Sequence, residues 1–217
     1  MNIIYEDNHL LVVDKPINIP MQLDSSNDID LLSLCKKYLK EKYNKPGNVY
    51  LGLVHRLDRP VSGVCVFAKT SKAAARLSKQ ISDHTFKKKY LAVVEDNNLK
   101  QCGHFEDYLL KDSKTNTVKI DKKGKLAILD YELIKRKNNL ALVQIQLQTG
   151  RSHQIRVQFS SRNHSLYGDQ RYNKNAKVGQ QIALHAYKIT FKHPITNEIV
   201  EFTSSVNRVP FNYFLSD

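Results

Sequence analysis

Leu140-Ala141-Leu142-Val143-Gln144-Ile145-Gln146-Leu147-Gln148 decides the architecture. From Val143 onward, Val143, Ile145 and Leu147 alternate with Gln144, Gln146 and Gln148, a period of two that sends successive side chains to opposite faces of a strand. One apolar face and one glutamine face describe an antiparallel strand buried on one side only. Upstream, residues 127–135 read as its partner, with the turn at Asn138-Asn139, and Thr149-Gly150 breaks the second strand.

Working outward, Tyr90 to Val94 is a further strand, entered through Lys87-Lys88-Lys89, and residues 188–191 and 199–203 supply two more. Near the start, Ile3-Ile4-Tyr5 and Leu10-Leu11-Val12-Val13 form short strands joined at Asp7-Asn8; Lys15-Pro16 closes the second. Val64 to Phe67 fits a buried strand. Two amphipathic helices separate these pieces. One spans residues 30–43, with Leu32, Cys35 and Leu39 inward; the other follows a cap at Thr70 or Ser71, with Ala74, Leu77 and Ile81 inward. Residues 152–161 read as a third helix, Ile155 and Phe159 four apart and Ser152 its N-cap. Residues 111–125, polar and lysine-rich, read as a flexible loop or a hairpin. The expected fold is α+β, mainly antiparallel sheet with flanking helices, in a single catalytic domain over residues 1–217.

Composition narrows the partners. Lys and Arg number 34 against 21 Asp and Glu, a formal charge of +13 that concentrates polyanions, nucleic acid first among them. Cys35, Cys65 and Cys102 form no C-x-x-C pair, so neither a zinc knuckle nor a redox dithiol is indicated, and scattered thiols fit a reducing compartment. Residues 1–7 do not resemble a secretory leader, and no apolar run approaches the roughly 20 residues of a membrane-spanning helix. Cytoplasm is the expected compartment, without membrane association.

Elimination removes several chemistries. The sequence has no phosphate-binding G-x-x-x-x-G-K-[ST] loop, no G-x-G-x-x-G, no H-E-x-x-H and no G-x-S-x-G elbow. Three constellations remain. In His55-Arg56-Leu57-Asp58-Arg59-Pro60, Asp58 stands between guanidinium groups that would keep it ionised and able to act as nucleophile or base, or it is simply a surface ion pair at a turn. In Thr149-Gly150-Arg151-Ser152-His153-Gln154-Ile155-Arg156, Arg151 and Arg156 suit an anion, or they form a solvated basic face. In Lys87-Lys88-Lys89-Tyr90, alternation places Lys88 beside Tyr90, where the ring can stack on an unpaired base or merely fill the core.

Together, these segments resemble the RluA-type pseudouridine synthases from about residue 3 to residue 214. Tyr5-Glu6-Asp7-Asn8-His9-Leu10-Leu11-Val12-Val13-Asp14-Lys15-Pro16 is similar to that family's first motif, and His55-Arg56-Leu57-Asp58, with Ser62-Gly63 and Ala68-Lys69, to its catalytic motif. Lys88 to Val94 resembles the tyrosine motif; Thr149 to Val157, Gly168-Asp169 and Tyr172 resemble the third; Leu184-His185-Ala186 and Phe191-Lys192-His193-Pro194 resemble its tail. Pro60-Val61, Asp96 and Gln158 depart from the usual pattern without removing a group the reaction needs.

The resemblance implies isomerisation of uridine in ribosomal or transfer RNA, with the target nucleotide flipped from its stack. It implies Asp58 as the catalytic carboxylate, Arg156 as the cation that orients and charges it with Arg151 second, and Tyr90 against the uracil. Ile155 becomes apolar wall, Arg56 the filler of the vacated stack, and His55 and Lys88 substrate contacts. Lysines of the 87–89 run and of residues 111–125 would meet phosphates. No metal or cofactor is expected, nor an S4 domain in front, and the protein is expected to be a monomer. A noncatalytic RNA-binding protein and a nucleoside glycosidase are the rivals; the latter would want a second carboxylate beside Asp58.

Overall fold

The computed structural model describes residues 1–215. The backbone divides into two compact units, Met1–Phe86 with Lys188–Ser204, and Lys87–Tyr187 with Ser205–Asp217.

In the first unit, β1 (Asn2–Glu6) pairs antiparallel with β2 (Leu10–Lys15), which pairs antiparallel with β4 (Ser62–Ala68); the two-residue β3 (Gly52–Leu53) also lies on β4. Every residue of β4 is buried, as its unbroken apolar run requires. Helix α1 (Leu31–Lys42) begins where Asp30 accepts from the Ser33 N–H, and buries Leu31, Cys35 and Leu39. The inward stripe therefore starts at Leu31 rather than Leu32, because two successive i, i+4 steps keep the three residues to one line. Helix α2 (Ser71–Ser82) is capped by Thr70, which accepts from Ala73 N–H at 3.2 Å, and packs Ala73 and Leu77 against Val64, Val66 and Phe86. Lys188 to Lys192, the end of β10 (Leu184–Lys192), pairs antiparallel with β11 (Ile199–Thr203) and completes this unit's sheet. Phe86 stacks on Phe191 at 4.9 Å.

The second unit is an antiparallel sheet ordered β5 (Lys87–Glu95), β9 (Leu140–Leu147), β8 (Lys125–Lys137), β6 (Cys102–Asp112) and β7 (Thr117–Ile120). Asn138, at φ 54°, makes the β8–β9 turn that the Asn138-Asn139 pair foretold. The residues after β6 form a hairpin, β6 returning as β7 through residues 113–116. Phe105, Tyr131 and Phe159 gather with centroids 5.0–5.4 Å apart, sealing helix α3 (Gln154–Ser160) to the sheet. A second cluster joins Leu91, Val93 and Leu142 to Phe211 and to Phe214 of the short α4 (Asn212–Leu215). The α+β, mainly antiparallel fold class stands. Cys35 and Cys65 are buried but Cys102 is exposed, and no helix among the described residues is long and apolar enough to cross a membrane.

Candidate active site

The residues singled out in the sequence fall into two groups, one in each unit. In the first unit the segment between β3 and β4 presents Asp58 on a turn closed by the Val61 N–H donating to the Asp58 carbonyl at 3.0 Å. Leu57 is buried beneath the turn and Asp58 is partly buried. What holds the turn is Lys15, the last residue of β2 and fully buried. Its ammonium donates to the carbonyls of Pro16 (3.0 Å), Arg59 (2.9 Å) and Val61 (2.7 Å). Burial drives the Lys15 pKa down to about 8, and the attraction of Cys65 and of Asp58 offsets this only in part. A fully buried ammonium is costly, and three carbonyl acceptors are the compensation that makes it tolerable. Lys15 was legible only as the end of a strand and a letter in a motif.

Around the same turn, His55 Nε2 accepts from the Val66 N–H at 3.1 Å, and its ring lies 5.6 Å from that of Phe86. Arg59 reaches away from Asp58: its guanidinium donates to the Asn18 carbonyl, to Ser26 and to Asp28, fastening residues 18–28. Arg56 is exposed, and among the described residues nothing hydrogen-bonds its guanidinium.

In the second unit, Tyr90 is buried at 7% exposure, fixed by pairing with Ile145 in the β5–β9 ladder. Lys88, two residues earlier, shares its face. The turn from β9 into α3 is built around Gln154. The Gln154 Oε1 accepts from Thr149 Oγ1 (2.8 Å) and from Arg151 N–H (3.0 Å), while its Nε2 donates to the Ile128 carbonyl (3.0 Å). These bonds delay the helix. Its N-cap is His153, in the left-handed region at φ 51°, ψ 20°, without a side-chain capping bond, and not Ser152. The start at Ser152 failed because glutamine, not serine, satisfies the loop.

Arg156 points from α3 into a buried pair. Nε and Nη2 donate to Asp169 Oδ2 and Oδ1 at 2.8 and 2.7 Å, and the guanidinium lies 5.1 Å from the Tyr172 ring centroid. The Tyr172 hydroxyl is bonded to His153 Nδ1 (2.7 Å) and accepts from Val118 N–H (2.8 Å). Burial raises the Tyr172 pKa, so the hydroxyl keeps its proton. Gly168 makes the approach possible: its φ is +70°, and a Cβ there would lie 2.4 Å from the Gln181 carbonyl oxygen. Ile155 is buried, and Arg151 is exposed with Nε donating to the Leu126 carbonyl at 2.8 Å. Asp169 and Tyr172 carried no assigned role in the sequence; Gly168-Asp169 was their available signal. Among the described residues, no group of three or more His, Cys, Asp or Glu could hold a metal ion.

Comparison with known proteins gives a consistent picture. The family model described as RNA pseudouridylate synthase matches residues 9–161. The chain is 36% identical over 221 residues to ribosomal large subunit pseudouridine synthase D of Zymomonas mobilis subsp. mobilis, covering 95% of this chain and 69% of that protein. It is 32% identical to ribosomal large subunit pseudouridine synthase C of Buchnera aphidicola subsp. Schizaphis graminum, covering 98% of this chain and 69% of that one. In structure it is similar to human RNA pseudouridylate synthase domain containing 4, with a TM-score of 0.81 at 20% identity over 95% of this chain and 89% of that chain. This last likeness concerns the fold alone.

Proposed function

The chain belongs to the RNA pseudouridylate synthase family, and from that premise we propose that it isomerises a uridine of large-subunit ribosomal RNA with Asp58 as its catalytic carboxylate. One observation carries the choice of Asp58: the buried Lys15 ammonium grips carbonyls at both ends of the Arg59-Pro60-Val61 segment that follows it. A surface ion pair needs no such anchor; a carboxylate that must meet a sugar carbon in one orientation does. Residues 1–217 are proposed to make up the catalytic domain.

The reaction breaks N1–C1′, leaving the electron pair on the uracil, and joins C5 to C1′ after the base turns. In one route the Asp58 carboxylate attacks C1′ and is displaced when C5 bonds there. In the other it takes the C2′ proton as N1 leaves, forming a glycal, and returns it when C5 adds. Both end with C5 losing its proton and N1 gaining one, so no co-reactant is consumed. Deuterium at C2′ would slow only the second route. The role that family membership assigns to Arg156 is to keep the carboxylate charged and oriented, that of Tyr90 to pack against the uracil and that of Ile155 to supply apolar wall that excludes water from the intermediate. Arg56, exposed and with a guanidinium unbonded among the described residues, fills the gap left by the flipped nucleotide. His55 serves the same site by holding the Asp58 segment to β4.

The test is chemical mapping of pseudouridine in ribosomal and transfer RNA from cells with the wild-type protein, with Asp58→Asn, or with neither. Loss of the same sites in the mutant and the null supports the assignment; sites that persist with Asp58→Asn overturn it. Sites lost from transfer RNA alone would move the substrate, not the chemistry.

A further inference from the structure

We infer that Lys88 is the centre of a phosphate subsite for the RNA backbone, set into the Gly150 turn on the Tyr90 face of β5; this rests on the synthase reading and adds where the strand is gripped. The side chain is partly buried, yet among the described residues no carboxylate or carbonyl hydrogen-bonds its ammonium. The two buried cations described above have protein partners: Lys15 has three carbonyls, and Arg156 has Asp169. Burial alone holds the Lys88 pKa below the ordinary lysine value, the condition of a cation short of a counter-ion.

The position is built, not accidental. Residue 150 is a glycine whose Cβ, if present, would stand 2.9 Å from Lys88 Nζ, so the turn leaves room for the ammonium and for nothing larger. That turn is held by the Gln154 side chain, and Arg151 on its exposed side has its Nε tied to the Leu126 carbonyl while its two terminal guanidinium nitrogens are unbonded among the described residues. Tyr90 lies about 7 Å along the same face, two residues at the rise of a strand, the scale that separates a base from its own phosphate. A lone ammonium suits a phosphodiester as a point charge. Lys89, on the opposite face of β5, supplies a comparison of equal net charge.

The experiment measures binding of a fluorescent twelve-nucleotide oligouridylate by anisotropy across a salt series. Lys88→Met keeps the stem and removes the charge. It should weaken binding about ten-fold at low salt and flatten the slope of log K against log salt by about 0.7, one phosphate's share on a single strand. Gly150→Ala should weaken binding in the same direction with an unchanged unfolding midpoint, since its methyl displaces only the mobile end of a lysine. Lys89→Met should change affinity less than Lys88→Met. A wild-type slope in Lys88→Met, equal losses at Lys88 and Lys89, or wild-type affinity in Gly150→Ala each overturn the subsite. Failure of the synthase reading would show separately, as pseudouridine persisting with Asp58→Asn.

Discussion

At the scale of single residues, two buried charges do work that their neighbours in sequence do not announce. Asp169 is almost wholly buried and meets Arg156 through two parallel bonds. Asp169→Asn leaves the guanidinium buried without its carboxylate, an uncompensated charge that should cost about 3–5 kcal/mol in urea unfolding; a loss below about 1 kcal/mol would mean that the pair is not what holds Arg156. Lys15→Met removes the donor to three carbonyls. Stability should fall by only about 1–3 kcal/mol, because the cost of burying the ammonium disappears with it. The kcat of the still-folded variant should drop roughly 10²-fold with KM nearly unchanged, as expected when a reacting group loses its placement. A kcat within two-fold of wild type would show that the turn keeps Asp58 in place unaided. Asp58, Tyr90 and Arg156 could be picked out in the sequence because each sits in a short, unusual string of residues. Lys15 and Asp169 stand in motif strings too, but their roles were not legible there, since these lie in long-range partners that no local pattern encodes.

At the scale of elements, periodicity served where one face was purely apolar and failed where a polar group turned inward. β9 and β11 could be read from alternation, but β6 could not: Phe105 and Leu109 are buried, while Asp107 between them takes an inward position and breaks the pattern. Its acid is satisfied by Arg162 and by Gln158 from α3, a partnership visible only once the helix is in place. The junction of β1 with α1 has the same character and yields a pH prediction. Burial would raise the Glu6 pKa, but hydrogen bonds from Lys42, Lys69, Tyr43 and Tyr38 outweigh it and hold the carboxyl at about 2. With the folded value depressed below the ordinary 4.5, the stabilisation is complete above that pH and is lost as pH falls from about 4.5 towards 2. Glu6→Gln should therefore be less stable than wild type by roughly 2 kcal/mol at neutral pH, allowing for the solvent that reaches Lys42. The gap should close near pH 2. A gap that stays constant from pH 6 to pH 3 would locate the stabilisation in packing instead.

At the scale of the whole molecule, the sheet class was legible and the division of the chain was not. The boundary between Phe86 and Lys87 falls at the first residue of β5, where the Lys87-Lys88-Lys89 run is taken up in the strand, and that between Tyr187 and Lys188 falls inside β10, so neither carries the glycine or proline that marks a linker. Charge, by contrast, is a property of the entire chain and can be read directly. A formal +13 makes binding to RNA largely an exchange of the polymer's counter-ions for lysine and arginine. If about five phosphates of a single-stranded target are neutralised, log K should fall with log salt at a slope near −3.5, or about a hundred-fold between 50 and 200 mM. Pseudouridine formation at subsaturating RNA should decline in parallel, while the rate at saturating RNA should barely move, because the same salt acts on encounter and not on the closed, water-poor site. Measuring initial rates at both RNA concentrations across the salt series separates the two. Affinity flat in salt would remove the phosphate contacts from the account, and a saturated rate that falls as steeply as the affinity would place the salt-sensitive charges in the chemical step itself.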